Sequence, residues 1–378
     1  MKMRNFGKLG IQNSAFGLGC MRFTGKMVDG KNVTDDELAK NIIRGAIDGG
    51  VTYIDTAYVY IGGHSEEILG EALLDGYREK VNIATKIPPD RVQKIEDAEE
   101  ILATELKRLQ TDHIDFYLMH GLNKDKWEHA KAVGLPQWFD KLKAEGKIRY
   151  KCCSFHGSYE EFEYIIKDYD WDMVQIQYNF MDVENQAGTK GLELAGSLGI
   201  PVVIMEGLLG GKLANAPENV QAVYDAFPVK RSPVEWAFRF LQSHPEVGTI
   251  LSGLTTMEQL EDNLAIFNKE ESDELSPEEV QLFKDVRDAY NARTKIGCTG
   301  CRYCMPCPNG VDIPAAFRAW NNAFMYNNLG PGNWDYKRLQ RDNASPEQCV
   351  ECGACEAQCP QYLPIIESLK KVTEEIGG

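Results

Sequence analysis

Val51-Thr52-Tyr53-Ile54-Asp55, then helical apolar spacing over Glu66–Leu74, then Val81-Asn82-Ile83-Ala84-Thr85-Lys86 make one strand–helix–strand unit, and the chain repeats it. Short β-branched runs recur at His113–His120, Ile148–Ser154, Met173–Gln177, Val202–Met205 and Thr249–Ser252, and Ser14–Gly19 supplies one more ahead of them. Helical spacing fills the gaps at Asp35–Asp48, Ile95–Leu109, Tyr159–Lys167, Gly188–Leu198, Pro233–Ser243 and Met257–Phe267. Thr34 with Glu37 predicts a capping box ahead of the first of these helices, and Gly49-Gly50 predicts its end. Strands that alternate with helices this regularly predict a parallel sheet, and eight such units predict a closed (β/α)8 barrel. An open doubly wound sheet is the alternative. It is disfavoured because no Gly-x-Gly-x-x-Gly follows a strand and no phosphate-loop motif is present. Arg4–Ala15, with Gly7 and Gly10, reads as a hairpin closing the barrel floor.

The chain has 378 residues, enough for one large barrel and a small appended module. Its formal charge of −16 argues against nucleic acid as a partner, since phosphate binding needs clustered Lys and Arg. Met1-Lys2-Met3-Arg4 is followed by no apolar run of signal-peptide length, and no stretch approaches a membrane span. A cytoplasmic protein with no membrane partner is the expectation. In that reducing setting its eleven cysteines point to metal ligation rather than disulfides. The charged helical stretch Pro277–Tyr290 leads into the cysteine-rich tail, so the domain boundary is expected near residue 293, giving domains 1–293 and 294–378.

Two runs organise the tail: Cys298-x2-Cys301-x2-Cys304-x2-Cys307-Pro308 and Cys349-x2-Cys352-x2-Cys355-x3-Cys359-Pro360. The second matches the bacterial ferredoxin run, in which three thiolates wrap one iron–sulfur cube and the fourth reaches the other. Reciprocal use assigns one [4Fe–4S] cluster to Cys298, Cys301, Cys304 and Cys359, and the other to Cys349, Cys352, Cys355 and Cys307. The first run is one residue short before its last cysteine, so the exchange of Cys307 and Cys359 is its weaker part. Structural zinc also uses Cys-x2-Cys pairs, but it has no need of a third evenly spaced cysteine followed by Cys-Pro. Ile313–Tyr326 reads as a helix, which makes this a mainly helical ferredoxin-like module. Cys20, Cys152 and Cys153 sit at strand ends and read as small buried residues.

Polar groups at the C-terminal ends of barrel strands are the candidate catalytic residues, because the active site of this fold opens there. Asp55 ends the second strand, Tyr60 follows it, Lys86 ends the third and His120 the fourth. Each also has a plain structural reading: a turn cap, packing, a solvated charge and a satisfied core histidine. Tyr60 can give a proton to a substrate atom within hydrogen-bond reach, with Lys86 expected to lower its pKa, Asp55 to hold Lys86 charged, and His120 to hydrogen-bond and orient the same substrate atom.

Asp55-Thr56-Ala57-Tyr58-Val59-Tyr60, with Thr85-Lys86 and Leu118-Met119-His120, resembles the catalytic tetrad pattern of the aldo-keto reductases in residue type, order and strand position. That resemblance implies a (β/α)8 TIM barrel and an NADH- or NADPH-dependent oxidoreductase. It places Ser154 and Gln175 against the nicotinamide amide and Met205 where the family stacks an aromatic ring on it. Gly207, Leu208, Gly211 and Lys212 fall where the family wraps the pyrophosphate, and Gly253, Gln259 and Asn263 at the adenosine end. The tail resembles that of a cluster-bearing branch of the family found among anaerobes. Family members that reduce a conjugated C=C bond carry glutamate at the His120 position, so aldehydes or ketones are the implied substrates.

Three positions depart from the pattern: Met205 replaces the stacking aromatic ring, Phe155 replaces an asparagine after the serine, and Leu254–Gln259 contains no Arg or Lys for a 2′-phosphate. Nicotinamide delivers two electrons together and a cluster one at a time, so exchange between them needs an intermediary such as a flavin. The leading expectation is a carbonyl reductase in which two clusters serve electron transfer, sensing or stability. The alternative is an iron–sulfur electron-transfer protein with a ferredoxin-like or flavoprotein partner, using the barrel as a docking scaffold or for an unusual cluster-fed reduction. Trp127, Trp138 and Phe23 are candidates for lining an apolar pocket, with core or surface packing an equally strong reading.

Overall fold

A computed structural model describes residues 1–28, 31–329 and 333–377. Eight parallel strands close into a barrel: β1 (Phe16–Gly19), β2 (Tyr53–Asp55), β3 (Asn82–Ile87), β4 (Ile114–Leu122), β5 (Ile148–Phe155), β6 (Met173–Gln177), β7 (Val202–Met205) and β8 (Val247–Gly253). Each pairs with its neighbours in sequence, and β8 closes on β1 through Ile250 opposite Phe16 to Gly253 opposite Gly19. The expected closed (β/α)8 barrel is thus the observed architecture.

The floor is sealed by an antiparallel hairpin, Met3–Asn5 against Gln12–Ser14. Its connecting segment presses Phe6, fully buried, into a layer with Tyr53, Phe116, Leu118, Cys152 and Val203. Gly7 is required there: with φ of +44°, a Cβ would stand 2.3 Å from the carbonyl oxygen of Gly199. The first barrel helix, Asp36–Asp48, is capped by Asp35, whose carboxylate accepts from the Leu38 N–H at 3.5 Å. The expected Thr34 cap shifts by one residue because Thr34 is committed to a short antiparallel pairing of Gly25–Val28 with Lys31–Thr34.

The chain divides into two compact units, Met1–Leu209 with Glu235–Leu275, and Gly210–Val234 with Ser276–Gly378. Neither is one continuous segment. In the second, the helix Glu218–Ala226 packs on Pro277–Asn291. The rest of that unit is built from helices Ile313–Met325, Trp334–Arg341, Ala354–Ala357 and Ile365–Ile376, with no strand among its described residues after 293. Val311, Phe317, Trp320, Tyr336 and Val372 form its core. The Trp320 indole donates to Glu375 at 2.7 Å, which ties the first of these helices to the last. Among the described residues no helix is long and apolar enough to cross a membrane.

Candidate active site and thiol cavities

In the first unit, β2 and β3 end side by side, with Asp55 opposite Ala84 in register, so Lys86 emerges beside Asp55. The Lys86 ammonium spends its three donors on three partners: Asp55 Oδ1 at 2.6 Å, the Thr56 carbonyl at 2.7 Å and Tyr60 Oη at 3.2 Å. It is 1% exposed and Asp55 3%. Burial pulls the ammonium down, but Asp55 and then Tyr60 more than offset it and hold it above the ordinary lysine value. Burial pushes the Asp55 carboxyl up against the pull of Lys86 and Gln175.

Tyr60 is aimed by an unusual turn. It opens a 3-10 segment, Tyr60–Gly63, in which Ile61, Gly62 and Gly63 all have positive φ. A Cβ on Gly63 would lie 2.5 Å from the Arg108 guanidinium, so the missing side chain is what admits that group. The following helix, His64–Ala72, is fastened to three strand ends: Ser65 Oγ donates to the Cys20 carbonyl at 2.7 Å and stands 2.8 Å from Thr56 Oγ1, and Thr85 Oγ1 donates to Glu66 at 2.7 Å. Arg108 completes this support by donating to Glu66 at 3.1 Å and to the Tyr58 carbonyl at 3.2 Å. Beyond Glu66, the Glu105 carboxyl accepts from the Tyr117 hydroxyl at 2.6 Å; burial and then the charge of Glu66 push it well above the carboxylate range.

His120 stands edge-on to Tyr60 with ring centroids 5.8 Å apart. Its imidazole is pushed down to about 3, first by burial and then by the charges of Lys86 and Lys126 with His156. It is therefore a neutral hydrogen-bonding ring at physiological pH. The expectation for Tyr60 is corrected in direction: burial raises its pKa by more than Lys86 lowers it. Tyr60 thus keeps its proton, and because an ammonium can only donate, the Tyr60 O–H is left pointing at whatever stands before it.

The residues expected around a nicotinamide are distributed as follows. Ser154 is buried, and its Oγ accepts from the Gly121 N–H at 2.8 Å. Gln175 is buried with its Oε1 unpartnered by the protein, a free acceptor suited to a carboxamide N–H. Met205 ends β7, followed by Glu206 at φ +59°, Gly207 and Leu208. Asn263 donates to Ser252 Oγ at 2.9 Å beside Gly253, and Gln259 accepts from the Thr255 N–H at 2.8 Å, so both serve the local structure of the β8 end. Gly211 and Lys212 belong to the second unit, where the Lys212 ammonium lies 3.7 Å from Asp335 and 5.8 Å from the centre of the Tyr326 ring.

Of the two readings open for Trp127 and Trp138, pocket lining or packing, the structure shows packing. Trp127 packs against Tyr169 and Trp171 and donates to Asp168 at 2.8 Å, and Trp138 packs against Tyr117 and Phe139; both are buried in the helix layer. Polar groups at the barrel mouth that sequence reasoning passed over are His156, directly after β5, and Lys126, in the helix after β4. The strand-end rule that found the tetrad would also have flagged His156. On the other side, Arg22 after β1 lies 4.0 Å from Glu206 after β7.

In the second unit the thiols form two groups. Cys298, Cys301, Cys304 and Cys359 line one cavity with Phe317 and Leu363. Cys307, Cys349, Cys352 and Cys355 line another with Val311 and Leu369, and Cys304 borders both. Each run carries left-handed residues at the same two places, Gly300 and Arg302 in the first, Glu351 and Gly353 in the second. Left-handed residues alternating with right-handed ones are the backbone pattern of anion-binding concavities, which recur at iron–sulfur sites. Donor type, grouping and backbone therefore fit two iron–sulfur clusters. Cys20, Cys152 and Cys153 are buried in the barrel, as expected.

The profile of the Aldo/keto reductase family matches residues 15–288, and that of the 4Fe-4S dicluster domain matches residues 297–363. Aldo-keto reductase YhdN of Bacillus subtilis (strain 168) is 39% identical over 132 residues, which cover 32% of this chain and 38% of that relative. The Uncharacterized oxidoreductase YqkF of the same organism is 27% identical over 330 residues, which cover 77% of this chain and 99% of its own. In structure, aldo-keto reductase AKR11C1 from Bacillus halodurans (holo form) superimposes with a TM-score of 0.63 at 25% identity, over 76% of this chain and 96% of its own.

Proposed function

The chain belongs to the aldo/keto reductase family, and from that premise we propose that it reduces an aldehyde or ketone with a nicotinamide cofactor at Asp55, Tyr60, Lys86 and His120. The observation that carries this reading is the Lys86 ammonium, buried and shared between Asp55 and Tyr60. When bound, the nicotinamide supplies the hydride. The chain's own residues supply the rest. Tyr60 Oη–H and the neutral His120 ring hydrogen-bond the substrate oxygen, which draws electron density from the carbonyl carbon. As the oxygen becomes an alkoxide, Tyr60 gives it the hydroxyl proton, and the phenolate left behind is held by Lys86 at 3.2 Å. Asp55 keeps that ammonium charged and in place. Ser154 and the free Gln175 acceptor would hold the cofactor's carboxamide, with Met205, Gly207, Leu208 and Gly253 bordering its path.

The same reading gives one [4Fe–4S] cluster to Cys298, Cys301, Cys304 and Cys359 and a second to Cys349, Cys352, Cys355 and Cys307. Their electrons come singly, whereas carbonyl reduction consumes a hydride and a proton, so the tetrad chemistry balances without them. A Tyr60→Phe variant tests the barrel reading: carbonyl reduction is expected to fall by about 10²-fold or more with the fold intact. Undiminished turnover sinks it. Anaerobic purification with iron and sulfide analysis tests the tail, which is expected to yield about eight of each per chain.

A further inference from the structure

Resting on the carbonyl-reductase reading, we propose that Lys126, with His156, forms a subsite for an anionic group of the substrate, so that the preferred substrates are carbonyl compounds bearing a carboxylate or phosphate a few bonds from the carbonyl. The two side chains come from different elements and meet beside His120. Lys126 lies in the first turn of the helix Lys124–Ala132, and His156 directly follows β5. Both flank Gly121, the residue after His120. It has φ of +61°, and a Cβ there would stand 3.8 Å from Lys126 Nζ and 3.8 Å from His156 Cδ2. The absent side chain leaves open a gap faced by an ammonium and by the Cδ2–Nε2 edge of an imidazole. That gap is one residue along the chain from the ring that would hold the carbonyl oxygen.

Four further features give this gap a preference for negative charge. Lysine in the first turn of a helix opposes the helix dipole, a local rule that proteins break mostly where function requires it. The N-terminal turn itself adds positive potential: Asn123 caps it by accepting from the Lys126 N–H at 2.9 Å. The counter-charge on Lys126 is weakly held. Asp90 lies 3.7 Å away, with the two side chains 61% and 37% exposed, and an exposed pair of this kind is weak enough for a substrate anion to replace it. The His156 ring is braced from behind, its Nδ1 3.2 Å from Gln186 Oε1, and Gln186 in turn donates to Gln177 at 3.0 Å. With Nδ1 engaged by an acceptor, Nε2 is the nitrogen turned to the gap, and an anion there favours its protonated, donating form.

The experiment compares matched substrates on the purified full-length holoenzyme. One pair is 4-carboxybenzaldehyde and its methyl ester; the other is glyceraldehyde 3-phosphate and glyceraldehyde. The ratio of kcat/KM, anionic over neutral, is expected to be about tenfold or more in the wild-type protein, carried by KM. Lys126→Met should bring the ratio close to one, and Lys126→Arg should keep most of it. Preference in the first pair alone identifies the anion as a carboxylate, in the second alone as a phosphate. A wild-type ratio near one in both pairs, or a ratio that Lys126→Met leaves unchanged, overturns the subsite while the carbonyl-reductase reading stands. If the wild-type enzyme turns over no member of either pair, that reading falls and the subsite with it.

Discussion

Replacing Lys86 by methionine tests whether the Asp55–Lys86 pair is the electrostatic centre of the barrel. Methionine keeps most of the lysine's aliphatic volume, so the change removes charge and donors rather than packing. Asp55 would then be a carboxylate 3% exposed, with Oδ2 unpartnered already and Oδ1 newly stripped of its 2.6 Å donor. An uncompensated buried charge of this kind costs about 3–5 kcal/mol. The protein has an escape, which is to protonate Asp55. Each pH unit above an ordinary aspartate value near 3.9 makes that proton dearer by about 1.36 kcal/mol, so the escape caps the loss at about 5 kcal/mol at pH 7.5 and about 2 kcal/mol at pH 5.5. The sign follows from proton counting: in the variant the folded Asp55 has the higher pKa, the folded state binds the extra proton, and stability rises as pH falls. The assay is denaturant unfolding of the barrel under anaerobic conditions at the two pH values, for wild type, Lys86→Met and Lys86→Met with Asp55→Asn. The single variant should lose about 1–3 kcal/mol more at pH 7.5 than at pH 5.5, and the double variant should lose that pH dependence. An equal deficit at both pH values would refute the argument.

Three further outcomes follow from the geometry. Gly70 lies inside the helix His64–Ala72, where alanine would normally stabilise by about 1 kcal/mol, but a Cβ there would stand 2.2 Å from the Arg108 carbonyl oxygen. Gly70→Ala should therefore lower stability by about 1–3 kcal/mol, and a raised melting temperature would contradict that contact. With the His120 imidazole pushed down to about 3, kcat/KM for a neutral aldehyde should show no acid-side break from this ring between pH 5 and 8; a break near pH 6.5 that disappears in His120→Gln counts against its neutrality. Cys359→Ser should reduce iron from about eight to about four per chain, and iron unchanged at about eight would show that Cys359 is not required to hold a cluster.

Much of the barrel was legible because its strands are short, β-branched and sharply punctuated. Met173–Gln177, Val202–Met205 and the helices Ile95–Leu109 and Met257–Phe267 lie where the pattern puts them. What escaped has physical reasons. The helix Lys124–Ala132 buries only Trp127 and Ala130, too narrow an apolar stripe to read, so the sequence left Trp127 open between lining a pocket and packing. The second compact unit draws in Gly210–Val234, because the surface that covers the helix Glu218–Ala226 is Pro277–Asn291, far along the chain. No local pattern announces a partner that distant.

The site divides along the same line. The tetrad and the cysteine runs were legible because strand-end position and thiol spacing are properties of the sequence. The state of Tyr60 was not. Lysine beside tyrosine favours the phenolate by charge alone, and from the residues that is the whole argument. In the fold, one ammonium is divided among Asp55, Thr56 and Tyr60, and burial of the phenol works against the phenolate. Burial wins. The result suits reduction better than a lowered pKa would, since a tyrosine that still holds its proton is the form that can give one to an alkoxide. Under the proposed mechanism Lys86 would act late, on the phenolate that the transfer leaves behind, and would contribute more in the transition state than in the resting enzyme. The same reasoning covers the mouth: Lys126 and His156 both flank the left-handed Gly121, and side-chain identities alone do not disclose that placement.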